Sequence, residues 1–317
     1  NGGSVMSKKV MLFGLVLVML FILLSGCGKS GTATVTGYIM APNGEDPVVG
    51  ATVSVKGKGI SSNTNGVGKY TLFNVPTGKQ TLLAVKGNFR VEFTVNVRNA
   101  GTTVEAPIAK LTTKKIAVVP GSFDDIGTVL DNLDLDYTEF DSIYDLTASV
   151  LDDYSIVFLA CGGSDALYPD SNPADRAVYD NLRAFVASGG GIYGSDWAAA
   201  AICSLFPEYI SVVDYNGESQ DLTVTVLDND IKALLGKNTC TICYDLGAWV
   251  LIKVEDPSKV QVDVIGDPNT YEGIVEDSPL LVEFSYGSGS VIYTTFHNEE
   301  QVTPDGLKII KHLVFSL

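Results

Sequence analysis

The spacing of apolar residues changes once along this chain, near Lys114, and this change constrains the fold more than any other feature. From Thr32 to Leu111, short β-rich runs are separated by Gly and Pro, whereas after Lys114 apolar strands alternate with helical segments. The first pattern is typical of an all-β sandwich, and the second of a sheet covered by helices on both faces. The chain has 317 residues, more than one domain usually contains. We therefore predict a multidomain protein, with an all-β sandwich over residues 32–112 and a three-layer α/β domain over residues 113–317.

The same patterns predict individual elements. Alternation of apolar and polar residues, clearest in Ala51–Lys56, indicates strands with one buried face. Strands are predicted over Thr32–Met40, Ala51–Lys56, Tyr70–Val75, Gln80–Lys86 and Phe89–Val97 in the first domain, and over residues 115–121, 155–160 and 191–193 in the second. Helices are predicted over residues 126–133, 174–188, 199–205 and 306–315. Because the strands of the second domain are short and continuously apolar, we expect a parallel sheet with both faces buried.

Residues 6–27 have the form of an export signal. Lys8 and Lys9 precede the apolar run Val10–Leu24, and Ser25-Gly26 then leads into Cys27. The segment resembles the bacterial lipoprotein signal, whose Leu-Ser-Gly-Cys box directs lipidation of the cysteine and cleavage just before it. The resemblance implies that residues 1–26 are upstream residues and signal peptide, that residues 27–31 are the lipidated Cys27 and a linker, and that the protein is lipid-anchored in the bacterial cell envelope. The alternative is a retained transmembrane anchor, for which the apolar run is short, since a span needs about 20 residues.

The charge of the chain restricts its partners. Lys and Arg number 21 against 37 Asp and Glu, a net charge of −16; residues 1–26 hold two lysines and no acid, so without them the balance is 19 against 37, a net charge of −18. Such a surface repels phosphate backbones and anionic lipid headgroups. We therefore expect no nucleic-acid partner, and we expect lipid on Cys27, rather than a basic patch, to hold the protein at the membrane.

Four cysteines follow Cys27, and Cys240 and Cys243 form a Cys-x-x-Cys pair. In an exported protein this pair is compatible with a tight disulfide, but its Thr, Ile and Tyr neighbours favour a strand over the helix start of a redox motif. One such pair without a second is weak evidence for zinc. The acidic residues between Asp124 and Asp153 lack the Gly and terminal Glu of a calcium loop and are interpreted as helix caps and solvated side chains. We expect no metal site and no cofactor.

The first domain carries Gly, Pro and Tyr in a characteristic order. It contains Gly50-Ala51-Thr52-Val53, then Gly66, Tyr70-Thr71-Leu72 and Val75-Pro76-Thr77-Gly78. This order resembles the carboxypeptidase regulatory-like domain over the whole of residues 32–112. The resemblance implies a transthyretin-like sandwich, which is often classed with the carbohydrate-binding-like folds. A sugar site needs exposed aromatic platforms, and most aromatic residues here fall on core positions, so we favour a rigid spacer.

The second domain contains the strand–turn–helix sequence Gly194-Ser195-Asp196-Trp197-Ala198, which has the form of a nucleophile elbow. Two other motifs follow predicted strands: Ala160-Cys161-Gly162-Gly163-Ser164 and Thr294-Thr295-Phe296-His297-Asn298-Glu299. In order and spacing, the three resemble the elbow, the oxyanion strand and the Phe-His-Pro-Glu motif of the class I glutamine amidotransferase-like family, particularly its trehalose-utilisation type relatives. The resemblance implies a flavodoxin-like fold with its ligand site at the carboxyl edge of the sheet. Asp196 replaces the family's nucleophilic cysteine, so glutamine hydrolysis through a thioester is not expected.

The resemblance and the side-chain chemistry together predict a polar catalytic or ligand-binding site in the second domain. Asp196 and His297 are the catalytic candidates, with Glu299 to orient the imidazole and Ser195 as the nearby hydroxyl, although Ser195 should point away from the apex. Cys161 is interpreted as a small buried residue. The ligand-binding candidates are Gly162, Gly163, Ser164, Gly194 and Trp197.

Two functions remain open. In the first, the amidotransferase-like domain is a pseudoenzyme in which Asp196 and His297 form a buried ion pair, and it binds a small molecule, a glycan or an envelope protein. In the second, it is a hydrolase of an amide, ester or glycan-derived substrate, with water or Ser195 activated by Asp196, His297 and Glu299. We favour the binding protein. An open cleft at Asp196 and His297 would favour the hydrolase.

Overall fold

A computed structural model describes residues 31–298 and 303–317, and its first part, residues 31–112, contains only strands. These are β1 (Thr32–Met40), β2 (Thr52–Val55), β3 (Ile60–Asn63), β4 (Lys69–Pro76), β5 (Gly78–Lys86), β6 (Phe89–Val97), β7 (Thr103–Glu105) and β8 (Ala109–Lys110). They form two four-stranded sheets, one with strand order β4-β1-β7 and β8 also paired to β1, the other with order β3-β2-β5-β6. We call residues 31–112 the β unit. The predicted export signal and Cys27 lie outside the described residues.

The two sheets of the β unit share one hydrophobic core. Side chains along β1 alternate between buried and more exposed positions, and Val35 and Ile39 are fully buried. Val53 of β2, Tyr70 of β4 and Leu82 of β5 belong to the same buried cluster. Every second side chain of a strand lies on the same face. The alternation visible in the sequence therefore marks the core side of each strand.

The α/β domain is built on a nine-stranded sheet with strand order β10-β9-β11-β12-β21-β20-β17-β14-β15. Its strands are β9 (Lys115–Val119), β10 (Tyr137–Glu139), β11 (Tyr154–Leu159), β12 (Gly191–Ser195), β14 (Gln220–Val226), β15 (Thr239–Tyr244), β17 (Val260–Gly266), β20 (Ser278–Tyr286) and β21 (Gly289–Thr294). From β10 to β21 in this order, neighbours are parallel. From β21 to β15 they are antiparallel. The expectation of a parallel sheet is therefore wrong for one half of the sheet.

The burial of the strands explains this difference. β9 and β11 are buried almost along their whole length, as parallel strands covered on both faces are. β14 and β15 instead alternate buried and more exposed residues. A sheet that keeps one face towards water is usually antiparallel. The sequence of residues 220–244 already shows this alternation. The continuously apolar pattern of β9 and β11 therefore describes only the parallel half of the sheet.

A smaller sheet, six α-helices and two short 3-10 helices (Ile143–Asp145 and Asp196–Ala198) complete the described part of the domain. The sheet has order β16-β13-β18-β19 and contains β13 (Ile210–Gly217), β16 (Trp249–Val254), β18 (Asn269–Thr270) and β19 (Gly273–Ile274). The helices are α1 (Ile126–Asn132), α2 (Ala148–Leu151), α3 (Pro173–Ala187), α4 (Ala199–Leu205), α5 (Asn229–Leu235) and α6 (Pro304–Ser316). The four predicted helices are all present. In the part of the chain that the structure describes, no helix has both the length and the apolar character needed to cross a membrane.

The β unit packs firmly against the α/β domain. Phe89 of β6 and Phe315 of α6 are both buried, and their ring centroids lie 4.7 Å apart. Lys86 of β5 forms a 2.9 Å salt bridge with Asp230 of α5. Buried residues of both parts belong to one continuous hydrophobic cluster. The β unit therefore holds the α/β domain in a defined orientation.

Candidate functional site

Five polar or reactive side chains follow the carboxyl ends of parallel strands. Asp124 follows β9, Cys161 follows β11, and Asp196 follows β12, while His297 and Asn298 follow β21. Parallel strands present their carboxyl ends at one edge of the sheet, where open α/β sheets bind their ligands. Asp196 contacts both Cys161 and His297 there. The three sequence motifs thus meet at one place.

Asp196 lies at the apex of the sharp turn between β12 and α4. Its φ is +40°, in the left-handed region that residues with a side chain rarely adopt. Such a conformation costs of order 1–3 kcal/mol and is typical of functional turns. Gly194, two residues earlier, lets α4 approach the strand, because a Cβ there would lie 2.8 Å from Cγ1 of Ile202. The geometry of a nucleophile elbow is therefore present, with an aspartate at its apex.

The imidazole of His297 lies between two carboxylates. Its Nε2 is 3.3 Å from Oδ2 of Asp196, and its Nδ1 is 3.0 Å from Oδ1 of Asp245. Burial on its own would lower the pKa of His297, but the hydrogen bonds to Asp196 and Cys161 raise it to about 11. A raised pKa disfavours the neutral ring that a general base requires at neutral pH. Glu299, which was predicted to orient the ring, lies outside the described residues.

Cys161 completes this cluster. Its Sγ lies 3.4 Å from Oδ2 of Asp196, whereas Oδ1 of Asp196 accepts a 2.8 Å hydrogen bond from the backbone N–H of Val250. Burial raises the pKa of the Cys161 thiol, which disfavours a reactive thiolate. The residue is buried, as its sequence context predicted. Its contact with Asp196 was not predicted, because the two residues are 35 positions apart.

Ser195 belongs to a second buried network. Its hydroxyl donates a 2.5 Å hydrogen bond to Oδ2 of Asp124, and Asn298 donates from its backbone N–H to Oδ1 at 2.8 Å. The hydroxyl of Tyr193 donates in turn to Oδ1 of Asn298. Ser195 is fully buried and its proton is engaged, so its hydroxyl is not placed for attack on a substrate at the apex.

Asp124 is a correction to the sequence analysis, which took the acids of this region to be caps and solvated side chains. It is 7% exposed, and burial raises its pKa to about 6 although Ser195 and Asn298 donate hydrogen bonds to it. Its neighbour Asp125 does cap a helix, since it accepts a hydrogen bond from the N–H of Gly127 at the start of α1. Asp124 lies in the loop after β9, five positions beyond Val119, and its position in the sequence does not distinguish it from the capping residue Asp125.

The loop from Cys161 to Ser164 does not present a free pair of backbone amides. The N–H of Gly163 donates to the carbonyl of Ala160 at 3.0 Å. Gly162 has a φ of +79°, and a Cβ there would lie 3.0 Å from the ring of Phe123. The buried Oγ of Ser164 has no hydrogen-bond partner within the described residues. The loop thus lies at the site, but one of the two predicted oxyanion donors is already occupied.

The space beside His297 is very small. The cavity there has a volume of about 10 Å³ and is lined by Asp196, Cys243, Tyr244, Asp245, Leu246, Trp249, Thr295, Phe296 and His297. A single water molecule needs roughly this volume. A cavity of about 760 Å³ lies around Arg90, Lys114 and Gly190, at the amino-terminal edge of the parallel strands and so away from these residues. Among the described residues, the space beside His297 is therefore too small for a molecule of substrate size.

Trp197 lies at the surface directly after the elbow, 39% exposed. Its indole N–H donates a 2.9 Å hydrogen bond to the carbonyl of Ala248, which fixes the ring. The ring packs edge to face against Phe123 and Tyr215, with centroids 5.8 Å and 6.1 Å away. Both of these rings are also exposed. We call Phe123, Trp197 and Tyr215 the aromatic row; the sequence analysis singled out only Trp197, because the other two come from distant segments.

The four cysteines of the described residues are unpaired. Cys240 and Cys243 both lie in β15, where three steps along an extended strand separate the two Cα atoms by about 10 Å. A disulfide allows no more than about 7 Å between Cα atoms. The strand therefore rules out a disulfide between Cys240 and Cys243, one of the roles that the sequence left open.

Comparisons with known proteins do not assign the chain to a family, since no family model and no curated protein matches it. Among solved structures it is similar to a ThuA-like protein from Bacteroides uniformis, at 13% identity over 64% of this chain and 89% of that one, with a TM-score of 0.46. A ThuA-like protein from Parabacteroides merdae gives 12% identity, 63% and 87% coverage, and a TM-score of 0.44. A glutamine amidotransferase from Thermotoga maritima is 13% identical over 58% of this chain and 75% of that one, with a TM-score of 0.38. Sequence identities and TM-scores this low do not assign a function to the chain.

Proposed function

We propose that this chain is a lipid-anchored binding protein of the bacterial cell envelope. In this proposal the α/β domain is a degenerate amidotransferase-like domain that binds a neutral glycan on the aromatic row and does not hydrolyse it. The observation that carries the proposal is the position of Trp197, an exposed and fixed aromatic ring directly after an elbow that has Asp196 in place of a nucleophilic cysteine.

Three properties of the aromatic row favour a glycan. Exposed aromatic faces pack against the apolar C–H faces of sugar rings, and three adjacent rings offer more than one such platform. The hydrogen bond from Trp197 to Ala248 orders the indole before binding, which lowers the entropic cost of association. The net charge of −16 disfavours sulfated or uronic-acid sugars, so the ligand is expected to be neutral or basic.

The geometry around His297 supports binding over hydrolysis. The hydroxyl of Ser195 is fully buried and donates its hydrogen bond to Asp124. The amide of Gly163 is engaged, and the neighbouring cavity has room for about one water molecule. A hydrolase built on Ser195 would lack an accessible nucleophile, and the space that the described residues leave beside His297 is too small for a substrate.

A glycan array with the full chain in detergent micelles tests this function. We expect binding to neutral glycans that Trp197→Ala weakens at least roughly tenfold, as loss of a central aromatic anchor typically does. Phe73→Ala is the matched control, because Phe73 is 64% exposed but lies in β4 of the β unit. Loss of binding in Phe73→Ala with full binding in Trp197→Ala would place the glycan on the β unit and overturn the proposal, as would binding to no glycan.

The anchor has its own test. In the proposal, lipid on Cys27 holds the protein at the membrane, and the β unit is a carboxypeptidase regulatory-like sandwich that carries the α/β domain. The wild type should incorporate labelled palmitate in bacteria and fractionate with membranes, and Cys27→Ser should do neither. Palmitate incorporation that persists in Cys27→Ser would contradict the lipoprotein assignment.

A further inference from the structure

We propose that Cys161, Asp196 and His297 form a binding site for one zinc ion. The Sγ, a carboxylate oxygen and a ring nitrogen of these residues all lie within 4.8 Å of one another. Thiolate, carboxylate and imidazole are the ligand types that zinc takes in proteins. The residues follow three neighbouring parallel strands, β11, β12 and β21, so a rigid sheet positions all three ligands.

The distances between the ligand atoms fit tetrahedral coordination. With zinc bonds of about 2.0 Å to nitrogen and oxygen and about 2.3 Å to sulfur, tetrahedral geometry separates nitrogen from oxygen by about 3.3 Å and sulfur from oxygen by about 3.5 Å. In the structure Nε2 of His297 is 3.3 Å, and Sγ of Cys161 is 3.4 Å, from the same Oδ2 of Asp196. Two of the three distances are therefore those expected between zinc ligands, and Sγ of Cys161 and Nε2 of His297 lie within 4.8 Å of each other.

Two of the proposed ligands, His297 and Asp196, are also held by hydrogen bonds with residues that would not touch the metal. Asp245 lies 3.0 Å from Nδ1 of His297, the carboxylate–histidine arrangement that leaves Nε2 free for a metal. The N–H of Val250 holds Oδ1 of Asp196, which leaves Oδ2 for the ion. Zinc requires the Cys161 thiolate and a neutral His297 ring, so we expect its affinity to fall as the pH is lowered.

The environment also limits which metal fits and what completes its coordination. A sulfur and a nitrogen ligand disfavour Mg²⁺ and Ca²⁺, which take oxygen ligands. The described residues supply three ligands, and the cavity of about 10 Å³ beside Asp196 and His297 has room for a water molecule as the fourth. Asp196 precedes Trp197 of the aromatic row in the sequence, but the zinc site does not depend on glycan binding.

Titration of the full chain with cobalt(II), after removal of metals with EDTA, tests the proposal. We expect one equivalent of cobalt to bind with the absorption of a tetrahedral site and a thiolate-to-cobalt charge-transfer band, and zinc to displace it. Cys161→Ser should abolish the charge-transfer band and weaken binding roughly 100-fold or more, since even outer partners contribute 10- to 100-fold. Cys240→Ser is the matched control, because Cys240 is also a buried free thiol but lies in β15.

A second variant covers the case in which Cys161→Ser fails to fold. Asp245→Asn keeps all three ligands and should weaken zinc binding by roughly 10- to 100-fold. Failure of the wild type to bind stoichiometric cobalt would overturn the site. A charge-transfer band that survives in folded Cys161→Ser, or that is lost in Cys240→Ser, would overturn it equally.

Discussion

Nε2 of His297 lies 3.3 Å from Oδ2 of Asp196, and the Asp196 side chain is buried while that of His297 is 12% exposed. The contact joins the loops that follow β12 and β21, which are neighbours in the sheet. Breaking a buried charge pair by removing one partner is strongly destabilising, because the other charge is left without compensation. The pair therefore makes the elbow a structural element of the domain as well as a candidate site.

This contact predicts non-additive effects on stability. In EDTA at pH 7, His297→Gln should lower the free energy of unfolding by about 3–5 kcal/mol, because it leaves Asp196 buried without its cation. The double variant Asp196→Asn/His297→Gln should be less destabilised than the sum of the single variants by more than about 1 kcal/mol. Urea denaturation followed by tryptophan fluorescence measures both values. Strict additivity would mean that the two side chains do not interact.

The contact between Phe89 and Phe315 predicts that the β unit and the α/β domain unfold together. Phe315→Ala should lower the free energy of unfolding by about 3–5 kcal/mol, as loss of a buried aromatic ring does. Phe73→Ala removes an exposed ring and should change it by no more than about 0.5 kcal/mol. Fluorescence and near-ultraviolet circular dichroism should report one shared transition for the wild type. Two separate transitions would show that the parts are independent.

The buried carboxyl of Asp263 predicts a loss of stability with rising pH. Burial, helped by the nearby charge of Glu283, raises the pKa of Asp263 from 3.8 to about 8. Between these values the folded protein holds a proton that the unfolded chain has released, so its contribution to stability falls as pH rises. Asp263→Asn should leave stability unchanged near pH 4 and increase it by about 1–3 kcal/mol near pH 8.

Thermal denaturation across this pH range measures the effect, and Asp153→Asn is the control. Asp153 carries an exposed carboxylate, with 70% of its side chain accessible. An increase in melting temperature that is the same at pH 4 and pH 8 would contradict a titration of Asp263.

The separation of Cys240 and Cys243 along β15 predicts free thiols even after export. Alkylation of the unfolded, unreduced protein should modify all four cysteines that follow Cys27, as mass spectrometry of peptides can show. In the folded protein Cys161, Cys203 and Cys240 should react slowly, because burial raises the pKa of each thiol. A peptide with a bond between Cys240 and Cys243 would contradict the extended strand.

Local patterns in the sequence predicted much of the fold. The bounds of β1 and β6 follow from alternation, and the elbow at Asp196 follows from a strand running into a turn and a helix. These features are encoded by residues a few positions apart. The antiparallel half of the sheet was missed, although β14 carries the same kind of alternation as the β unit.

The candidate site was predicted less completely, because its contacts join distant segments. Asp245 is 52 residues from His297, and Asp124 is 71 residues from Ser195. No local pattern distinguishes Asp245 from the many other acids of a chain with 37 of them. Only the packing of strand ends at one edge of the sheet brings these side chains together.

The place of β1 in its sheet has a mechanical consequence. β1 is the first strand of the described chain, and it lies between β4 on one side and β7 and β8 on the other. The hydrogen bonds between β1 and its neighbours run across the strand direction. Tension applied along the strand at residue 31 therefore shears the bonds on both sides of β1 together. We expect a protein pulled from that end to resist extension at its first strand and to transmit the force through Phe89 and Phe315 into the α/β domain.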